Sequence, residues 1–175
     1  MKKTAVVLLF ILSITLFAAA QQDKSKRPSP PAQAQCKLPD GKTITTDYSS
    51  PRAKGRQIFG GLVPYNEVWR TGANEATTFV TTANLSVEGK DVPAGSYTIF
   101  TVPAQDKWTL IINKKTGEWG IPYHYESDEL VRVPMQVSKT SGPVENFTIN
   151  YDQSGGCTLQ ISWENTQASV KFSEK

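Results

Sequence analysis

Apolar residues recur at every second position along most of this chain. In CTLQISWE, Cys157, Leu159, Ile161 and Trp163 fall on one face, with Thr158, Gln160, Ser162 and Glu164 on the other. NFTINYD places Phe147, Ile149 and Tyr151 together, and QASVKFS does so with Ala168, Val170 and Phe172. KWTLIIN carries Trp108, Leu110 and Ile112, and LVRVPMQV carries Val131, Val133, Met135 and Val137. TITTDY from Thr43, TTFVTT from Thr77 and SYTIFTV from Ser96 extend the series. A period of two with β-branched and aromatic enrichment predicts half-buried strands. Turn signals separate them: Pro39-Asp40-Gly41, Glu88-Gly89-Lys90, Pro93-Ala94-Gly95, Lys115-Thr116-Gly117 and Ser154-Gly155-Gly156. PYNEV, residues 64–68, is the one candidate for a helical turn. The pattern predicts an antiparallel all-β domain, most simply a two-sheet sandwich, with a closed β-barrel as the alternative.

The N-terminus breaks the pattern. Lys2 and Lys3 precede a nearly unbroken apolar run over residues 5–17, and Ala18, Ala19 and Ala20 follow it. This is the layout of a signal peptide, residues 1–20, too short for a comfortable membrane span. No stable membrane insertion is expected after its removal, and no cysteine follows the run directly to carry a lipid. Residues 21–35, QQDKSKRPSPPAQAQ, are polar and Pro-rich, and read as a disordered spacer. Residues 36–175 then form a single domain of ordinary size. Five of the chain's 19 Lys and Arg, and one of its 16 acids, precede Cys36. The domain therefore carries 14 cations against 15 anions, which gives no support to a nucleic-acid surface. Export places Cys36 and Cys157 in an oxidising compartment, where a disulfide is expected.

Several stretches together resemble a known family: SSPRAKGRQIFGGLVPYNEVWRTGANEATTF, VPAGSYTIFTVP, WTLIIN, GEWG and the closing WENTQASV. They are similar to the bacterial domain of unknown function 2911, over residues of about 48–170. The resemblance implies a secreted or periplasmic β-rich domain. It supplies no catalytic residues.

The side-chain inventory narrows the chemistry. His124 is the single histidine, so a multi-histidine metal centre is excluded and no metal site is expected. No serine sits on a glycine-flanked elbow. GRQIFGG, residues 55–61, lacks the ending of a phosphate loop, and no cofactor motif is found, so no cofactor is expected. Three features remain. Arg52, Lys54 and Arg56 alternate in SPRAKGR and could converge on an anion, or sit on a solvated loop. Trp119 and Tyr123, in EWGIPYHYES, could stack on a sugar ring, or cap the end of the core. Arg70, Asn74 and Glu75 surround Gly72 in WRTGANEAT. They read either as a grip on a polar ligand or as an Arg70–Glu75 clamp tying off a loop. The expected function is a secreted or periplasmic, non-catalytic module that binds a small polar or carbohydrate ligand. The alternative is a cell-envelope hydrolase whose acid and base are carboxylates such as Glu75 and Asp128. No feature specifies an oligomeric state.

Overall fold

The structure, a computed structural model, describes residues 23–175. The expected signal peptide lies outside the described residues. Nine strands follow one another: β1 (Pro31–Lys37), β2 (Thr43–Ser49), β3 (Thr77–Thr81), β4 (Leu85–Val87), β5 (Lys90–Val92), β6 (Gly95–Val102), β7 (Trp108–Asn113), β8 (Glu129–Asp152) and β9 (Cys157–Glu174). Among the described residues the only helical pieces are 3-10 turns at Lys24–Lys26 and Glu126–Asp128. PYNEV forms none. No helix there is long and apolar enough to cross a membrane.

The all-β class is as expected, but the two separate sheets are not. Hydrogen bonding runs unbroken through one antiparallel sheet in the order β1-β2-β3-β6-β7-β8-β9-β4-β5. β1 and β5 are its free edges, so it does not close into a barrel. The reason is β8. Residues 130–137 and 146–152, two strands by pattern, are one strand of 24 residues. Its first part pairs with β7 and the rest with β9, with register shifts around Lys139, Val144 and Thr148. Bulges bend and twist a strand without ending its ladder. β9 likewise joins two predicted strands. Its buried positions are odd-numbered to Trp163 and even-numbered from Ala168, and Glu164 between them takes a left-handed φ of 49°.

The sheet doubles back on itself around one core. Phe79 of β3 meets Phe172 of β9 at 5.2 Å between ring centroids. The Thr46 and Tyr151 hydroxyls share a buried hydrogen bond of 2.7 Å between β2 and β8. Cys36 on the β1 edge is bonded to Cys157 at the start of β9, with Cα atoms 5.9 Å apart, as expected. Trp163, Phe147, Ile149, Leu159 and Ile161, on the apolar faces of their strands, are all buried, and so is Trp69.

The spacer boundary moves. Pro31, Ala32, Gln33, Ala34 and Gln35 belong to β1, laddered along β2 from Pro31 opposite Ser49 to Lys37 opposite Thr43. Only Ala34 and Cys36 of this strand are buried. Its hold is the main-chain ladder, which leaves little hydrophobic trace in the sequence. Proline opens an edge strand without loss, since no ladder donor is needed there.

One further feature positions the site. Every residue of β6 from Tyr97 to Thr101 is buried, so both faces of that strand are covered. On the outer face, Phe100 and Ile111 lie under Tyr123 and Tyr125 of the β7–β8 loop. That loop then continues the surface made by residues 50–76, the β2–β3 connection.

A cleft between two loops

The β2–β3 connection is anchored at Trp69. Its main chain exchanges hydrogen bonds with Thr101 of β6 at 2.8 and 2.9 Å. Its indole nitrogen donates to the Gly72 carbonyl at 3.1 Å. The ring stacks on Trp163 at 6.1 Å and meets the edge of Phe147 at 5.1 Å. Alternation on an extended segment sends Arg70 the opposite way. The chain then turns through left-handed residues at Thr71 (φ 56°) and Asn74 (φ 59°). Such a φ is ordinary for asparagine and an outlier for a β-branched residue. Thr71 is held by its hydroxyl, 3.0 Å from the Thr101 hydroxyl, and by its carbonyl, which accepts from Thr77 at 2.6 Å.

Of the two readings of this loop, the Arg70–Glu75 clamp is not formed: the two side chains find other partners. Nη1 of Arg70 donates to the carbonyls of Asn74 and Trp119. Its guanidinium carbon stands 5.0 Å from the Trp119 ring centre, a cation–π contact. Glu75 turns away and accepts from Nη1 of Arg27 at 2.8 and 3.1 Å, with Lys24 at 3.2 Å. Its own backbone N–H, then Lys24 and Arg27, hold its carboxyl at a pKa of about 2 against partial burial. The Asn74 amide donates to the Ser29 carbonyl at 3.1 Å. Residues 23–30 thus lie along the loop as a strap and supply Glu75's partners. Nothing in a polar, Pro-rich stretch announced that contact.

The other candidates separate. Arg52 donates to the carbonyl and hydroxyl of Ser50 at 2.7 and 2.9 Å, while Lys54 is exposed and takes a φ of 50°. Arg56 caps the carbonyls of Ala53 at 3.0 Å and Arg52 at 2.6 Å. The two arginines are committed mainly to their own loop. Tyr123 is on the outer face of the sheet, donating to Glu129 at 2.7 Å. Burial first, and then the Glu129 carboxylate, push its phenol pKa up. Trp119 is 55 % exposed. His124 is exposed in the same loop.

The connection and the β7–β8 loop enclose a cleft of about 360 Å³. Trp69 and Trp163 form its floor, and Arg70, Arg56 and Glu67 stand on its walls. Leu62 and Ile121 border it, 49 % and 48 % exposed. Among the described residues the large exposed hydrophobics are Leu62, Trp119 and Ile121; two of them line the cleft, and Trp119 stands beside it against Arg70. The sequence reading missed Leu62, Glu67 and Ile121. For Leu62 and Ile121 the one signal was an apolar residue within a polar, glycine- or proline-broken loop, which has no period to mark it; Glu67 had none. Gly61 fits this bend tightly, for a Cβ there would stand 2.5 Å from the Gln57 carbonyl oxygen.

Fold and site together define a disulfide-bonded β domain with a ligand-sized cleft beside an arginine. The chain belongs to the family described as "Protein of unknown function (DUF2911)", whose model matches residues 29–172 and so takes in all nine strands from β1 to most of β9. No curated protein and no solved structure matches it.

Proposed function

We propose that this protein is an exported module of the cell envelope that binds a small polar or carbohydrate ligand in the cleft beside Arg70, without catalysis. The observation that carries the reading is that exposed Leu62 and Ile121 line one concave site that also presents charged groups, with exposed Trp119 beside it against Arg70. Apolar surface with a few placed polar groups is the usual make-up of a small-ligand site. Binding is favoured over carboxylate-pair hydrolysis because Glu75 is engaged by Lys24 and Arg27 and stays ionised to about pH 2, which unsuits it as a general acid. Glu67 is the one carboxylate on the cleft's lining among the described residues. Export is supported by the N-terminal sequence pattern and by the Cys36–Cys157 disulfide, a bond that persists in oxidising compartments.

A thermal-shift screen of sugars and small polar compounds tests binding, since a ligand selective for the folded state raises the melting temperature. Trp119 localises it. Trp69, Trp108 and Trp163 are at most 7 % exposed, so a ligand that alters the solvent-exposed tryptophan emission reports on Trp119. The same ligand acting equally on Trp119→Phe would place binding elsewhere and defeat the proposal.

A further inference from the structure

We infer that the ligand carries a carboxylate on an apolar body, and that the free edge of the Arg70 guanidinium recognises it. This rests on the cleft being the binding site. Three observations lead to it. First, the charged residues lining the cleft are two arginines and one carboxylate, an excess of positive charge. Second, Arg70 is held along one side only. Nη1 is occupied by the Asn74 and Trp119 carbonyls, while Nε and Nη2 have no partner among the described residues. These two donors form a planar fork whose spacing matches a carboxylate bidentately. Both acceptors of Nη1 are main-chain oxygens, so the fork is fixed in place before any ligand arrives. Third, the acid nearest in sequence is withdrawn: Glu75 is engaged by Arg27 and Lys24.

The surroundings extend the argument. Burial lowers the Arg70 pKa, and the field of Glu75 offsets this only in part, as for a cation short of a counter-ion. The Trp119 ring covers one face of the guanidinium, and Leu62 and Ile121 continue the apolar border. An anion alone would leave that surface wet, and a neutral sugar would leave the fork unpaired. A carboxylate with an aliphatic or aromatic body uses both. Arg56 lines the same cleft and keeps Nη1 free of protein partners among the described residues, which adds a second cationic donor.

The test compares matched probes on the purified protein, followed through the Trp119 indole N–H resonance. The probes are phenylacetate and hexanoate, the amides phenylacetamide and hexanamide, and N-acetylglucosamine as a neutral sugar. The acids should bind about tenfold or more tightly than their amides, as expected for a charge-assisted pair. Added salt should weaken the acids alone. Arg70→Gln should remove most of the acid preference while amide affinity stays within about twofold. If that variant fails to fold, the wild-type comparison and Arg56→Gln, which should narrow the same preference, still decide. Equal binding of acid and amide, or binding of the sugar alone, would overturn the carboxylate inference and leave the cleft as a binding site. No response of Trp119 to any probe would overturn both.

Discussion

Glu75 and Gly120 show what single residues do in this loop. The Glu75 carboxyl titrates near 2 in the folded chain and has an ordinary value of 4.5. Its stabilisation is therefore complete above about pH 4.5 and drains away as the pH falls towards 2. The side chain is 40 % exposed, so solvent screening holds the effect to about 1 kcal/mol. Urea unfolding should show Glu75→Gln losing that amount at pH 7 and little at pH 2. Equal losses at the two pH values would contradict the assignment. Gly120 has a φ of 87°, and a Cβ there would stand 2.9 Å from the Ala76 Cβ, 3.0 Å from Phe100 and 3.1 Å from the Arg70 Cβ. Gly120→Ala combines a disfavoured φ with overpacking and should cost roughly 2–4 kcal/mol. A wild-type denaturation midpoint for that variant would refute the packing described. At the core, Trp163→Ala removes a ring 1 % exposed and should cost about 3–5 kcal/mol in the same assay.

Elements are tied here by devices that alternation does not reveal. The Cys36–Cys157 bond joins residues 121 apart in sequence and fastens the β1 edge to β9. The chain-entropy relation gives such a loop about 4–5 kcal/mol. Against a typical total of about 5–15 kcal/mol, that is a large share. Cys36→Ala with Cys157→Ala should lower the urea midpoint accordingly, and a reductant should then have no further effect on the doubly substituted protein. A midpoint unchanged by both treatments would mean that the ladder with β2 alone secures β1. The strap acts more weakly, through partly exposed pairs. Removing residues 1–27 should reduce the acid-dependent contribution of Glu75 without abolishing it, since its own backbone N–H remains, while the domain stays folded. A dependence unchanged by the deletion would show that Lys24 and Arg27 contribute nothing to it.

Cleavage after the alanines should give an exported product whose mass starts near Gln21. An intact Met1 on a membrane-embedded product would refute export of a free domain. The open sheet leaves β1 and β5 as edges, and both carry devices against adventitious pairing. Pro31 opens β1, while β5 is a three-residue strand with exposed Lys90 and Asp91.

Alternation alone was enough to place β2, β3, β6, β7 and the two parts each of β8 and β9, the inward residues from Cys157 to Trp163 and the all-β class, because a period of two is a local property of the chain; β1 and the three-residue β4 and β5 carry too little of it. The disulfide followed from compartment and count. Two separate sheets did not follow, because one bulged strand and two shorter strands share the same periodicity. The strap was hidden for a related reason: main-chain hydrogen bonds and ion pairs need no apolar residue. WRTGANEAT could be read as a loop with an arginine pointing away from the core. What that arginine and Glu75 each meet depends on chain distant in sequence, and the fold brought Arg27 to Glu75 and Trp119 to Arg70. Phe100 and Ile111, apolar at outward positions, were the local sign that something covers that face. What covers it, and the cleft that results beside Arg70, required the loops to be folded against one another.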